Sequence, residues 1–224
     1  MDDDRRVRLL GACRLFADSP EADLRSLSAA ATVRHYRRGQ LVVQEGDPGD
    51  ALLVLAEGSL KAVSTSVHGE ELLLAVVEPG ETVGELAVAD GGCRSATLVA
   101  LSDCTVLRLP RGVVLAVAEG SPVLARALMA SLAGTIRRLT GSAADLVFLD
   151  APRRIAKLLL TLATGAGHLV VRTGLTQSEL AERVGASRQT LNAALQAFQR
   201  RGWISVHGQE VAIRDPDALR RFVG

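Results

Sequence analysis

The segment LTQSELAERVGASRQTLNAALQAFQRRGWISVHGQEVAI, residues 175–213, admits few folds. Thr176 stands three residues before Glu179, the spacing of a capping box that opens a helix. Leu180, Ala181 and Val184 supply that helix with one apolar face, and Gly185 supplies the positive-φ residue of a tight turn. Ser187 then caps a second helix whose inward side is Leu191, Ala194, Leu195 and Phe198. Two short helices across a three-residue glycine turn form a helix-turn-helix. Trp203-Ile204-Ser205-Val206 and Val211-Ala212-Ile213 flank His207-Gly208, so a β-hairpin wing follows.

In such a motif the outward residues at the start of the second helix enter the major groove of double-stranded DNA. Here they are Arg188, Gln189 and Asn192, with Thr190 in reach of a phosphate. Arginine takes guanine bidentately, and glutamine and asparagine suit adenine. Thr176, Gln177, Ser178, Ser187 and Arg201 are candidates for the backbone contacts that position without specifying. Charge agrees: residues 153–224 carry 11 Lys/Arg against 5 Asp/Glu, whereas residues 1–152 carry 15 against 20. The bland alternative is a helical hairpin with a solvated Arg/Gln/Asn face. The cap, turn, wing and basic balance occurring together favour DNA binding.

Upstream the pattern changes twice. Arg5–Phe16 and Glu21–Ala31 are short helical stretches separated by Ser19-Pro20. From Thr32 to Leu109, short β-prone runs alternate with turn clusters such as Glu45-Gly46-Asp47-Pro48-Gly49-Asp50, which predicts an antiparallel barrel, roll or sandwich. Between Val123 and Ala151 there is no proline, and Leu124, Leu128, Leu132, Ile136, Leu139, Ala143 and Leu146 recur at steps of three or four. That is one long helix. It either packs back on its own barrel or forms a two-helix dimer seam, and its excess length favours the seam. Asp150-Ala151-Pro152 marks a hinge, followed by a helix over Arg153–Ala163, a Gly165-Ala166-Gly167 turn and a short strand at His168–Arg172. The fold class is α+β, with three parts expected at residues 1–112, 113–150 and 151–224.

Within the β-rich part, VGELAVADGGCRSATLVA (83–100) is small and apolar apart from Glu85, Asp90 and Arg94. Val83, Leu86, Val88, Leu98 and Val99 suggest β-structure around a turn at Ala89–Gly92. Glu85 and Arg94 either face water, pair with each other, or hold something polar.

Other chemistries find little support. Cys13, Cys93 and Cys104 are odd in number and lack metal-ligand spacing, and His35, His68, His168 and His207 are scattered. No nucleophile–base pair or phosphate-binding glycine-lysine loop stands out, so a catalytic role is not expected. The MDDDRR start is unlike a secretory signal, and no run approaches the roughly 18 apolar residues of a membrane span. A cytoplasmic protein without metal and without membrane attachment is expected.

Several motifs in order, Glu45-Gly46-Asp47-x-Gly49-Asp50, Gly58 and Lys61, GELA…RSAT at 84–97, Phe148-Leu149-Asp150, and Leu175-Thr176-Gln177 through Ile204, resemble the cyclic-AMP receptor protein (Crp–Fnr) family of bacterial regulators. The GASRQT and RGWI stretches look most like actinobacterial members. The resemblance implies an N-terminal cyclic-nucleotide-binding β-roll, a long dimerisation helix and a C-terminal winged helix-turn-helix. It implies a homodimer on a two-fold symmetric operator, RNA polymerase as partner, and cyclic AMP as effector. It further implies that Glu85 accepts the ribose 2′-hydroxyl, that Arg94 and Ser95 hold the cyclic phosphate, and that backbone N–H groups around Gly84–Leu86 add donors. Where the family offers two polar contacts to adenine from the long helix, this chain has Leu139 and Thr140, and only Thr140 can hydrogen-bond a base. A same-fold regulator with a degenerate pocket, constitutive or answering another nucleotide, is the alternative. In the recognition helix, Gln189 and Ala193 replace the family's glutamate and basic residue, which predicts a half-site other than TGTGA. The family's iron–sulfur and haem sensors need ligand sets that Cys13, His35 and His68 do not suggest, so neither cofactor is expected.

Overall fold

The computed structural model describes residues 1–69, 71–165, 170–172, 176–208 and 210–224. The expected turn at 166–167, the first residues of the 168–172 strand, and Leu175 lie outside these. The elements run α1 (Asp3–Ala12), α2 (Glu21–Ala30), β1 (Thr32–Tyr36), β2 (Leu41–Val43), β3 (Ala51–Glu57), β4 (Leu60–Thr65), β5 (Glu71–Val77) and β6 (Thr82–Val83). Then come α3 (Glu85–Asp90), β7 (Thr97–Ala100), β8 (Cys104–Pro110), α4 (Arg111–Gly120), α5 (Pro122–Phe148) and α6 (Ala151–Gly165). β9 (Val170–Arg172), α7 (Gln177–Arg183), α8 (Arg188–Arg200), β10 (Ile204–His207), β11 (Glu210–Ile213) and α9 (Pro216–Val223) complete the chain. The chain divides into two compact units, one of Met1–Gly69 with Leu74–Arg137, the other containing Arg138–Gly224.

The first unit holds two four-stranded sheets, ordered β1-β8-β3-β6 and β2-β7-β4-β5. β3 explains why the sequence gives an unbroken apolar run there and no alternation: both of its faces are covered. Leu53 and Leu55 point into a cluster with Leu60, Ala62, Leu98, Ala100 and Val106, between the sheets. Leu52 and Val54 point the other way, into a second cluster with Leu107 and Leu109, roofed by Leu10, Phe16, Leu27, Val114 and Leu124 from the helical layer. Removing either layer would expose several fully buried leucines, at about 1.5–3 kcal/mol each. The long helix therefore starts as part of the roll's own core, through Leu124, Ala127 and Leu128. Further along it the apolar residues Ile136 (62% exposed), Leu139 (57%) and Leu146 (56%) are uncovered. Among the described residues no single helix is long and apolar enough to cross a membrane.

In the second unit α6 and α9 pack together, and α7 and α8 form the helix-turn-helix. The residues expected inward on α7 and α8, Leu180, Ala181, Val184, Leu191, Ala194, Leu195 and Phe198, are all buried. The hairpin β10–β11 runs in register from Ile204 opposite Ile213, and β9 adds a third strand against β11. Phe198, Trp203 and Phe222 form an aromatic cluster with centroids 5.5–5.7 Å apart, Phe198 stacked on Trp203 and Phe222 edge-on to Phe198, fastening recognition helix, wing and C-terminal helix together.

Candidate functional site

The 83–100 stretch departs from its expected form. Leu86 and Val88 lie on the short helix α3, with Val88 buried and Leu86 40% exposed. The helix begins at Gly84 (φ 103°) and ends at Gly91 (φ 74°). Its apolar residues are too few to show helical periodicity, and the flanking glycines that bound it resemble strand-turn punctuation. Gly84 is doubly constrained. Its backbone is left-handed, and a Cβ there would collide with Arg94 Nη1 and lie 3.1 Å from the Ala51 carbonyl oxygen.

Arg94 faces this backbone from the other side. Its side chain is only 4% exposed, and its Nε and Nη1 atoms are buried without a hydrogen-bond partner. Burial pushes its pKa down, while the charge of Asp50 pulls it up. The carboxylate it meets is Asp50, with Oδ1 3.8 Å from Nη2. The pairing of Glu85 with Arg94 is not found: Glu85 instead accepts a hydrogen bond from Thr82 Oγ1. Ser95 is exposed beside Arg94.

Asp50 comes from the turn between β2 and β3, which is laced to the cassette by backbone bonds. Gly46 N–H donates to Arg94 O (2.9 Å), Arg94 N–H to Asp47 O (2.8 Å), and Gly49 N–H to Gly92 O (3.2 Å). A side chain at Gly49 would collide with Ala87, so this turn can seat on α3 only as glycine. Asp50 also pairs with Arg108 on β8, and its carbonyl accepts the Arg111 N–H at 2.8 Å. Arg111 Nε donates to Ala87 O (3.2 Å) and Val88 O (2.9 Å), neutralising the negative end of α3. The sequence marks 45–50 as a turn, but nothing in it reveals Asp50 as the partner of Arg94 or Arg111 as the clamp on α3. Both are long-range contacts. Leu139 and Thr140 lie on α5 beyond Arg137, both exposed.

In the helix-turn-helix, Thr176 and Glu179 cap each other: Glu179 N–H donates to Thr176 Oγ1 (3.3 Å) and Thr176 N–H to Glu179 Oε2 (2.8 Å). Ser187 Oγ accepts the Thr190 N–H (3.1 Å) and lies 2.8 Å from the Thr190 hydroxyl. Arg188 and Gln189 are exposed in the first turn of α8, whereas Asn192 and Thr190 are half-buried. Gln177 and Ser178 begin α7, half-buried. Arg201 is at the opposite end of α8, about 18 Å along the axis, with its guanidinium 4.8 Å from the Trp203 ring centroid. Arg154 was not anticipated. It donates to Leu149 O (2.7 Å), Val184 O (2.8 Å) and Gly185 O (3.3 Å), tying the end of α5 to the turn of the helix-turn-helix.

A roll with a buried, under-satisfied guanidinium behind a short glycine-flanked helix, joined by a long helix to a winged helix-turn-helix, defines a class: a ligand-binding, DNA-binding transcription regulator. The comparisons name its family. Residues 33–121 match the cyclic nucleotide-binding domain and residues 153–222 the Crp-like helix-turn-helix domain. The chain is 37% identical over 191 residues to a CRP-like cAMP-activated global transcriptional regulator of Mycobacterium tuberculosis, covering 83% of this chain and 85% of that one. It is 34% identical over 190 residues to the cyclic AMP receptor protein of Thermus thermophilus, covering 84% and 87%. Its structure is similar to the Thermus thermophilus catabolite activator protein (TM-score 0.56, 30% identity, 94% and 98% covered). It shares its fold with a CooA mutant from Carboxydothermus hydrogenoformans (TM-score 0.79, 19% identity, 98% and 99% covered). The chain belongs to the CRP-like family of transcriptional regulators, which are DNA-binding proteins and not enzymes.

Proposed function

We propose that this chain is a cytoplasmic homodimeric regulator whose affinity for a two-fold symmetric operator is raised by cyclic AMP bound in the β-roll, and which acts on RNA polymerase. Residues 1–112 bind the nucleotide, 113–150 dimerise and 151–224 bind DNA. The observation that carries this is Arg94, a buried guanidinium with two unpartnered nitrogens in a cyclic nucleotide-binding domain. A buried cation with free donors is costly unless an anion arrives, and a cyclic phosphate brings one negative charge and the acceptors to satisfy it.

Arg94 and Ser95 hold the phosphate, the amides of Gly84, Glu85 and Leu86 add donors, Glu85 takes the ribose hydroxyl and Thr140 contacts the base. The exposed apolar residues of α5 form the dimer seam. On DNA, Arg188, Gln189 and Asn192 contact base edges, while Thr176, Gln177, Ser187 and Thr190 contact the backbone. Relatives named as cAMP-activated support cyclic AMP as the effector. A second reading, a regulator tuned to another nucleotide, is motivated by Leu139, which offers no hydrogen bond at the position beside Thr140. Calorimetry of the purified chain with cyclic AMP, cyclic GMP and cyclic di-GMP separates the two. Saturable binding of cyclic AMP that tightens operator binding is the expected result. No cyclic AMP binding at millimolar concentration refutes the first reading.

A further inference from the structure

The charges around Arg94 do not favour anions in general. Asp50 Oδ1 stands 3.8 Å from Nη2, and the other Asp50 oxygen pairs with Arg108. Asp47, whose carbonyl accepts the Arg94 N–H, adds a second negative charge that acts on the guanidinium. Glu85 adds a third at the start of α3. Two guanidiniums thus stand among three carboxylates, and Asp50 engages both, Arg108 closely and Arg94 at longer range. The groups of Arg94 left for a ligand are Nε and Nη1, the two unpartnered nitrogens. A phosphate docking there leaves Asp50 in place on Nη2, roughly 7 Å away across the guanidinium.

We propose that Asp50 is a specificity-determining residue: it lets the cassette accept a singly charged phosphodiester and makes it reject a doubly charged phosphomonoester. This rests on the nucleotide reading above. One negative charge is balanced by Arg94. A second meets the Asp50 carboxylate, whose own charge already engages Arg94 and Arg108, and at that separation, between surface and bulk-water dielectric, it costs about tenfold in affinity. A regulator so built discriminates its cyclic effector from the open-chain hydrolysis product by charge as well as by ring closure.

The test uses the full chain and three adenosine ligands in calorimetry at about pH 7.5, where a phosphomonoester is mostly dianionic. The ligands are the 3′,5′-cyclic phosphate (one charge, closed ring), the 5′-methyl phosphate (one charge, open) and the 5′-phosphate (two charges, open). The ratio of Kd for the last two isolates charge, and the ratio for the first two isolates ring closure. In the wild type the charge ratio is expected at about tenfold. Asp50→Asn, which keeps the carbonyl that receives Arg111 N–H and an acceptor for Arg108, should bring it to within about threefold. The ring-closure ratio should stay unchanged, and Asp50→Glu should restore the charge ratio. An unchanged charge ratio in Asp50→Asn overturns the assignment while leaving the nucleotide reading intact. Failure of the wild type to bind the cyclic phosphate refutes both.

Discussion

Arg94→Met separates a ligand-holding arginine from a structural one, because the two roles predict opposite changes in stability. In the ligand-free protein the Arg94 side chain is 4% exposed, its one ion pair spans 3.8 Å, and two of its nitrogens have no partner. Methionine fills most of the same volume without a charge. Asp50 is not stranded by the change, since it is 59% exposed and keeps Arg108. Replacing a buried, poorly compensated charge by an apolar side chain is neutral or stabilising, here by about 1–2 kcal/mol. For a chain of this size that raises Tm by about 2–8 °C. Cyclic AMP reverses the order. Charge-assisted hydrogen bonds to phosphate contribute about 1.5–3 kcal/mol each, so losing two costs about 3–6 kcal/mol, or about two to four powers of ten in Kd. At one hundred times its Kd the ligand stabilises the wild type by about 2.7 kcal/mol, and the variant should show almost none of that. Differential scanning fluorimetry with and without cyclic AMP reads both effects. The melting curves should cross: variant above wild type without ligand, below it with ligand. A variant that melts well below the wild type alone, yet retains the full ligand shift, would make Arg94 a strut and remove it from the ligand site.

Gly84→Ala places a Cβ against Arg94 Nη1 in a left-handed conformation, so it should weaken cyclic AMP binding at least tenfold and cost about 1–3 kcal/mol of stability; calorimetry and melting check the two effects. Arg154→Met removes three hydrogen bonds from one guanidinium and should destabilise the helix-turn-helix by about 2–3 kcal/mol, seen as earlier melting and weaker operator binding. Arg154→Lys should recover only part, because an ammonium cannot span three carbonyls; full recovery would contradict the clamp. Burial pushes the Cys13 thiol up to about 11. Its unfolded form loses the proton first, near 9, so stability should fall as pH rises from about 9 to about 11, by about 2–3 kcal/mol. Urea melts of wild type and Cys13→Ala across that window should differ in slope, and parallel curves would refute the shift. Selection of operator sites should return a half-site other than TGTGA, because Gln189 puts a neutral amide suited to adenine where the family has the carboxylate that accepts from cytosine, and Ala193 offers no cation for guanine.

What the sequence makes legible follows from how far each signal reaches along the chain. The helix-turn-helix is legible to single residues because its determinants are local: caps three residues from their targets, a glycine between helices, and apolar residues on one helical face. The two sheets are legible as a class but not in their pairing. β3 pairs with β8 and β6, which are dozens of residues away, and its apolar run says that it is buried without saying against what. The short helix α3 was missed because six residues hold too little of a 3.6-residue period to distinguish it from a strand and turn. The ligand cassette shows the same division. Glu85 and Arg94 stand out in the sequence as charges in an apolar stretch, which raises the choice among solvent, mutual pairing and a bound partner. Mutual pairing is excluded by residues brought in from elsewhere: Thr82 engages Glu85, Asp50 faces Nη2 of Arg94, and Gly84 lets the guanidinium lie close against the backbone. Nε and Nη1 of Arg94 have no partner among the described residues, although protein interiors leave few buried donors unpaired. That exception gives the cassette its chemical direction. Here the folded chain tolerates an unsatisfied cation, and an anion that satisfies it gains binding energy that the ligand-free fold does not use.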